Sequence, residues 1–331
     1  MLQPGLKKVD LHVHTVFSNF RHLKILKARD SYNDPLQVYE RCRAIGCDYV
    51  AITDHDTIDG ALDLLSKRPD LESTVIVGEE VETSFPATGQ WVHVNVLGVD
   101  ETIHREMAEL RGSVHELVEY LRARGLPHFL NHPLQSYRLQ RAPMRYVEDV
   151  LSLFTHVEIG NGTLPVGQNR TAAGILEYGR RRGFTCVGVG GSDSHGLRRI
   201  GSYVTLAEGE TKEAWLASLM DGRCLTFGSE IGFLGMVGEV YGIVGRYYKR
   251  LGSPDGRAEM GAINYAAAAG FVPICLAGVP LLLNVASYAG TSGLSGLVQR
   301  SLHRSARRED LASTAALSSA LPVVRTGEPP G

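Results

Sequence analysis

The sequence predicts a parallel α/β architecture, and three observations predict it. Short apolar strands alternate with helical stretches along most of the 331 residues, the order that builds a parallel sheet, open or closed into a barrel. Glycines stop the helical stretches where the apolar periodicity lapses. Metal-capable side chains stand at nearly every strand end, where parallel α/β folds gather their chemistry.

The first strand, Val9–His14, alternates so that His12 and His14 project from one face. Further strands are expected at Tyr49–Asp54, Val75–Val81, Trp91–Val99, Pro127–His132, His156–Gly160 and Cys186–Gly191. Between them, Asp34-Pro35 opens a helix that runs through Ala44 and stops at Gly46. Another starts at Ile58, with Asp56 or Thr57 as its cap. Longer helical runs cover Thr102–Arg124 before Gly125, Asn169–Arg182 before Gly183 and Thr211–Asp221 before Gly222.

Composition narrows the function classes. A formal net charge of −2 provides no global basic field to draw the chain to nucleic acid. The five cysteines (Cys42, Cys47, Cys186, Cys224 and Cys275) are scattered without a Cys-X-X-Cys pair. That suits a reducing compartment and excludes a disulfide scaffold or a structural zinc knot. With no basic-then-apolar leader at the start, a cytoplasmic catalytic domain is the expectation.

After Phe227 the pattern changes. Ile231–Leu251 interleaves apolar and small residues and ends in Arg246-Tyr247-Tyr248-Lys249-Arg250, an amphipathic helix packed on the domain or laid on a membrane surface. No charged side chain occurs from Met260 to Gln299. The centre of that run, 266–285, has the length of a membrane span of about 20 residues. Pro273, Pro280 and Asn284 suit a buried helical hairpin instead, and both readings stay open. Residues from Ser301 onward are polar and Ala/Ser-rich, with disorder expected. The chain thus divides into a catalytic domain over 1–230, a helical, hydrophobic extension over 231–300 and a tail over 301–331.

The strand-end residues are His14, Asp54-His55, Glu79-Glu80, His93, His132, Glu158, Asp193 and His195. Each alone has a structural reading, such as a helix cap, a solvated carboxylate or a satisfied core histidine. Together, at equivalent ends of successive strands, they point to a polynuclear metal site. His22, His104, His115 and His303 fall on helices and loops and read as solvated or structural.

The ordered motifs Asp-Leu-His-Val-His, Ile-Thr-Asp-His-Asp, Val-Gly-Glu-Glu-Val, Val-His-Val-Asn-Val-Leu-Gly, Asn-His-Pro and Gly-Ser-Asp-Ser-His-Gly resemble the PHP (polymerase and histidinol phosphatase) superfamily of metal-dependent phosphoesterases, from about Val9 to Phe227. The resemblance implies a distorted (β/α)7 barrel. It implies metal ligands at His12, His14, His55, Glu80, His93, His132, Asp193 and His195, with Glu80 as the bridging carboxylate. One motif departs: the family's usual ligand aspartate after the first motif is replaced by Asn19, in Phe17-Ser18-Asn19-Phe20, so either Asp30, in the longer loop after it, takes over or one of three metals is bound loosely.

Imidazole and carboxylate ligands suit two or three divalent ions, zinc, manganese or iron. Such ions activate water for attack on phosphorus, so a metal-dependent phosphoric ester hydrolase is expected. Glu80, Asp193 and His195 are the candidate catalytic residues, with protonation of the leaving group left unassigned. Arg138, Arg141, Arg198 and Arg199 follow strand ends and can read phosphate with their planar forks; Arg170 is a weaker candidate. The expected substrate is a small phosphomonoester, a nucleotide or a short oligonucleotide. A processive single-strand nuclease would want interleaved aromatic and basic residues, which are not obvious here. A non-catalytic metal-binding module would not need six histidines at strand ends, and amide hydrolysis by a similar centre stays open.

Overall fold

The computed structural model describes residues 5–18, 29–135, 143–254 and 261–320. Its main sheet has six strands in sequence order: β2 (Val50–Ile52), β3 (Val75–Phe85), β4 (Gln90–Leu97), β5 (His128–Leu130), β6 (His156–Asn161) and β7 (Val187–Gly191). The β2–β3, β5–β6 and β6–β7 pairs are parallel, whereas β4 runs antiparallel to both neighbours. A smaller antiparallel sheet joins β1 (Leu6–Val9), β8 (Tyr203–Glu208) and β9 (Cys224–Gly228) in the order β1-β8-β9.

The six-stranded sheet curls into a half-barrel, and residues 10–14 cross its open side. Val13 accepts from Thr53 N (3.0 Å), and His14 N donates to Ser194 O (3.2 Å), so this segment is held by the far ends of both β2 and β7. The expected strand Val9–His14 therefore stops at Val9, and the seven-stranded barrel is met only in part. Asp10 causes the stop: its buried carboxylate accepts from the backbone N–H of Ser192 (2.8 Å), Gly201 (2.7 Å) and His12 (3.3 Å), donors a regular ladder would use. Strands β8 and β9 lie outside the expected set.

Helices cover the outside. α1 (Pro35–Ala44) is capped by Asp34, which accepts from Leu36 N at 2.9 Å. α2 (Asp59–Lys67) follows Ile58, and Thr57 Oγ1 accepts from Asp59 N. The run expected over Thr102–Arg124 is two helices, α3 (Glu101–Leu110) and α4 (Val114–Ala123), because the Ser113 side chain caps a new start. α5 (Pro143–Leu153), α6 (Val166–Arg181) and α7 (Lys212–Met220) complete the layer. Left-handed Gly46, Gly125, Gly183 and Gly222 end their helices as the sequence predicts.

Inside the curl, Leu11, Ala51, Ile76, Leu97, Phe129 and Val189 pack with Trp215 and Leu219 of α7 into one buried cluster. This apolar plug is the floor on which the polar strand ends stand. A second layer sets Val81, Val94, Leu130 and Val157 of the sheet against Met107, Leu117, Leu121, Val150 and Ile175 of the helices.

Three further helices follow: α8 (Phe233–Gly252), α9 (Ala262–Leu276) and α10 (Val279–Ala320). A single span over 266–285 is not formed, because the chain turns at Ala277-Gly278 with Gly278 at φ 74°. No helix among the described residues is long and apolar enough to cross a membrane. Residues 301–320, expected to be disordered, continue α10; Val298 and Leu302 are buried in the core beside α6, which draws that helix onto the domain. Residues 321–331 lie outside the described residues.

Candidate metal centre

The residues expected at strand ends meet around one carboxylate, although Glu80 and His93 lie within β3 and β4, and His12 and His14 beyond the end of β1. Glu80, on β3, is wholly buried. Its Oε1 lies 3.0 Å from His93 Nδ1 and 3.1 Å from His132 Nε2. Its Oε2 lies 3.1 Å from His12 Nε2, 3.3 Å from His14 Nε2 and 3.1 Å from His55 Nδ1. Local register makes part of this: β3 and β4 pair Glu82 with His93, so Glu80 and His93 are diagonal neighbours on one face. Asp193 closes the far side, its Oδ1 3.5 Å from His12 Nε2 and 3.2 Å from His14 Nε2.

A second carboxylate completes a separate corner. Asp30 Oδ2 lies 3.5 Å from His55 Nε2 and 3.6 Å from His195 Nε2, and it accepts from Ser18 Oγ at 3.0 Å. Four donor groups result: His14, Asp30, His55 and His195; His12, Glu80 and His132; His12, His14 and Asp193; and His55, Glu80 and His93. All eight ligand positions implied by the motifs converge. Asn19 lies outside the described residues, and Asp30 stands where the sequence offered it as a substitute.

These donors fit divalent cations. Ligand atoms about 2.1 Å from a common ion are about 3.0–3.4 Å apart in octahedral or tetrahedral shells, close to the separations around Glu80. Two buried polar atoms within the cluster, His14 Nε2 and Glu80 Oε2, have no hydrogen-bond partner. Such orphans are costly without a partner, and a cation supplies one for each.

Around the donors, a second set of groups orients them. Glu158 Oε1 is 3.1 Å from His12 Nδ1, while its Oε2 accepts from His132 N and Asn161 Nδ2, each at 2.9 Å. Asn131 Nδ2 donates to Glu80 Oε1 (2.7 Å), and Asn161 Nδ2 and Thr163 Oγ1 each donate to Asp193 Oδ2 at 3.1 Å. His195 Nδ1 faces the Asp193 carbonyl at 3.0 Å, which leaves Nε2 toward Asp30. Glu158 stood at a strand end in the sequence, but only the fold shows that it serves His12. Asn131 had one signal, its place directly before His132.

Backbone strain marks the same spot. Among the described residues, the non-glycine positions with positive φ are Asp56, His132 and Asp193, two donors and the neighbour of a third. Gly191 is required where β7 passes the His12 segment, since an added Cβ would lie 2.4 Å from His12 Cβ.

The electrostatics are those of a site built for positive charge. Against the penalty of burial, the imidazoles of His55, His12 and His93 hold Glu80 well below the usual carboxylate range. Burial works against charge on the histidines too, yet the Asp193 and Glu80 carboxylates raise His14 to about 10, and Glu80 raises His93 to about 9. His55 is held down at about 3 by burial, with His14 adding to it. The side chains of His55, His93 and His195 are 21%, 18% and 22% exposed while His12 and His14 are sealed, so the site opens on the side of those three.

Of the expected phosphate-reading arginines, two are described. Arg138 and Arg141 lie outside the described residues. Arg198 is exposed, and Arg199 spends its Nη2 on the carbonyls of Gly162 (2.5 Å) and Ser229 (3.3 Å). Arg170 lines a groove between α6 and α10 with Leu302 and His303. Among the described residues, Arg246 of α8, absent from the expected set, donates to the His195 carbonyl at 3.3 Å.

No family model matches the chain. Over 77 residues it is 34% identical to "Uncharacterized protein MJ1587" of Methanocaldococcus jannaschii, a match covering 23% of this chain and 45% of that protein, less than half its length. Among solved structures, it is similar to PsfC from Pseudomonas syringae, at 15% identity over 68% of this chain and 92% of that one, with a TM-score of 0.47. A Bifidobacterium adolescentis protein assigned as a metal-dependent phosphoesterase is 17% identical, covering 64% and 95%, with a TM-score of 0.43. An amidohydrolase from Chromobacterium violaceum, solved with bound sulfate and no metal, is 16% identical over 66% and 97%, with a TM-score of 0.44.

Proposed function

We propose that this chain is a metal-dependent phosphoesterase that hydrolyses a small phosphomonoester or nucleotide, with residues 1–230 as the catalytic unit. One observation carries the reading: five imidazoles from four separate parts of the chain surround the two oxygens of Glu80, with Asp193 opposite and Asp30 beside them. Held there, zinc, manganese or iron would supply charge that acidifies water to a pKa of about 7 and offsets charge on phosphoryl oxygens.

The protein's own part is positional. Glu80 offers one oxygen to each side of the cluster, His12, His14, His55, His93 and His132 supply neutral nitrogen donors, and Asp193 and Asp30 supply further anionic ones. Glu158 and Asn131 keep His12 and Glu80 aimed inward. Among the described histidines, His12 and His14 are sealed from water, and the partly exposed His55, His93 and His195 mark the mouth where a substrate phosphoryl group would enter. His195 directs Nε2 toward Asp30, which makes it a ligand on this reading, not a donor of the leaving group's proton.

The test is hydrolysis of an aryl phosphomonoester by the purified full chain with added Mn²⁺ or Zn²⁺. Turnover should appear with metal, fall with a chelator, and vanish in His12→Ala combined with Asp193→Asn. A panel of mononucleotides, histidinol phosphate and short oligonucleotides then ranks substrates. Failure to cleave any phosphoester with metal fully loaded would overturn the proposal.

A further inference from the structure

The uncharged run from Met260 to Gln299 includes α9 and the first half of α10, and several apolar side chains of these helices face outward. Ile263, Leu276 and Leu282 are 68%, 84% and 63% exposed, and Phe271, Val272, Ile274 and Val285 are exposed as well. A helix that is apolar all round is ordinarily buried, in a large core or in lipid.

Three contacts orient the unit. Tyr248 Oη donates to Ala268 O (2.7 Å), Tyr265 Oη to Leu251 O (2.9 Å) and Tyr241 Oη to Cys275 O (3.4 Å). α9 therefore runs antiparallel to α8, and its last turn lies at the end where α8 begins, where Phe233 and Leu234 are also exposed. The turn at Ala277-Gly278 is an apolar tip flanked by Leu276 and Leu282.

The opposite end is basic. Lys249 ends α8, and Arg300, Arg304 and Arg307 follow the uncharged part of α10, all four exposed. That end is tied to the domain through buried Val298 and Leu302. At 15 residues α9 is about 22 Å long, short of the roughly 30 Å hydrocarbon core. The unit can therefore dip into one leaflet but not cross. Basic residues at its base complement anionic headgroups, and the apolar tip suits the acyl boundary.

We propose that the α9–α10 hairpin is a monotopic anchor that inserts its Leu276–Leu282 tip into an anionic bilayer surface. This is independent of the chemistry assigned to the metal centre. The occupant is lipid because the exposed surface grades from uncharged tip to basic base.

The test is sedimentation of the full chain with vesicles of phosphatidylcholine alone or mixed with phosphatidylglycerol. Binding is expected to the anionic vesicles, to weaken severalfold in Arg300→Glu with Arg304→Glu, and to fall at least about tenfold in Leu276→Glu with Leu282→Glu. Both leucines are exposed, so the tip variant should keep the wild-type melting temperature. Two results would overturn the proposal: no vesicle binding, or binding that the tip substitutions leave intact. A concentration-dependent dimer without vesicle binding, abolished by the tip substitutions, would overturn it in favour of a second copy as the occupant.

Discussion

Glu158→Gln changes a charge to an isosteric amide at a residue that on the proposed reading touches no metal, and it should nonetheless damage metal binding. In the native arrangement Glu158 Oε2 accepts two hydrogen bonds, from His132 N and Asn161 Nδ2 at 2.9 Å each, while Oε1 faces His12 Nδ1 at 3.1 Å. A glutamine has one acceptor oxygen, and two donors compete for it on the His132 side. Its NH₂ is then directed at His12 Nδ1, which must become an acceptor. The imidazole proton moves to Nε2, the nitrogen that faces Glu80 and Asp193. That tautomer cannot bind a cation through Nε2. Loss of an orienting partner of this kind costs about 10–100-fold in metal affinity, or about 1.4–2.8 kcal/mol. Competition between protein and a chromophoric chelator for Zn²⁺ measures it directly. Glu158→Ala leaves His12 free to choose its tautomer, so the isosteric glutamine should be at least as damaging as alanine. Wild-type affinity in Glu158→Gln would refute the reasoning.

Metal binding should release protons, because His14 and His93 sit at about 10 and about 9 without metal and must be neutral to bind one; affinity therefore rises with pH up to that range, and calorimetry in buffers of different ionisation enthalpy should show the proton count. Arg111→Met removes one of two partners of the buried Glu79 carboxylate, which Arg111 Nη2 meets at 2.6 Å while His104 keeps the other oxygen, and should cost about 1.5–3 kcal/mol in urea unfolding. His104, 2.7 Å from the same carboxylate, has its pKa raised by that hydrogen bond; its contribution is full below its ordinary pKa of about 6.5 and is lost as pH rises through the raised value, so the pH dependence of stability should lose that component in His104→Gln. Gly191→Ala places a Cβ 2.4 Å from His12 Cβ and should lower bound metal with little effect on α-helical content by circular dichroism.

The donors were legible in the sequence because each is carried by a short ordered motif, although Glu80 and His93 lie within β3 and β4 and not at their ends, and His12 and His14 lie in the segment after β1. What the motifs could not show was partnership. Asp30 is separated from His14 by a loop with no periodicity, and only the fold brings it to His55 and His195. Glu158 could be placed at the end of a strand but not opposite His12. The first strand was overextended because the alternation of Val9–His14 continues past the point where Asp10 captures the ladder's donors. The run Thr102–Arg124 was read as one helix since α3 and α4 bury apolar faces in the same core, so the apolar pattern hides the break at Ser113. Strands β8 and β9 were missed although Tyr203–Glu208 alternates, and the helical tail was missed because its only buried anchors, among the described side chains beyond Gly296, are Val298 and Leu302.

Anomalous diffraction from crystals soaked in Mn²⁺ tests the central claim most directly. Peaks are expected within ligand distance of Glu80 and its surrounding histidines, and they should be lost or weakened in Glu80→Gln. Manganese bound elsewhere, with Glu80, His12 and Asp193 contacting only one another, would contradict it.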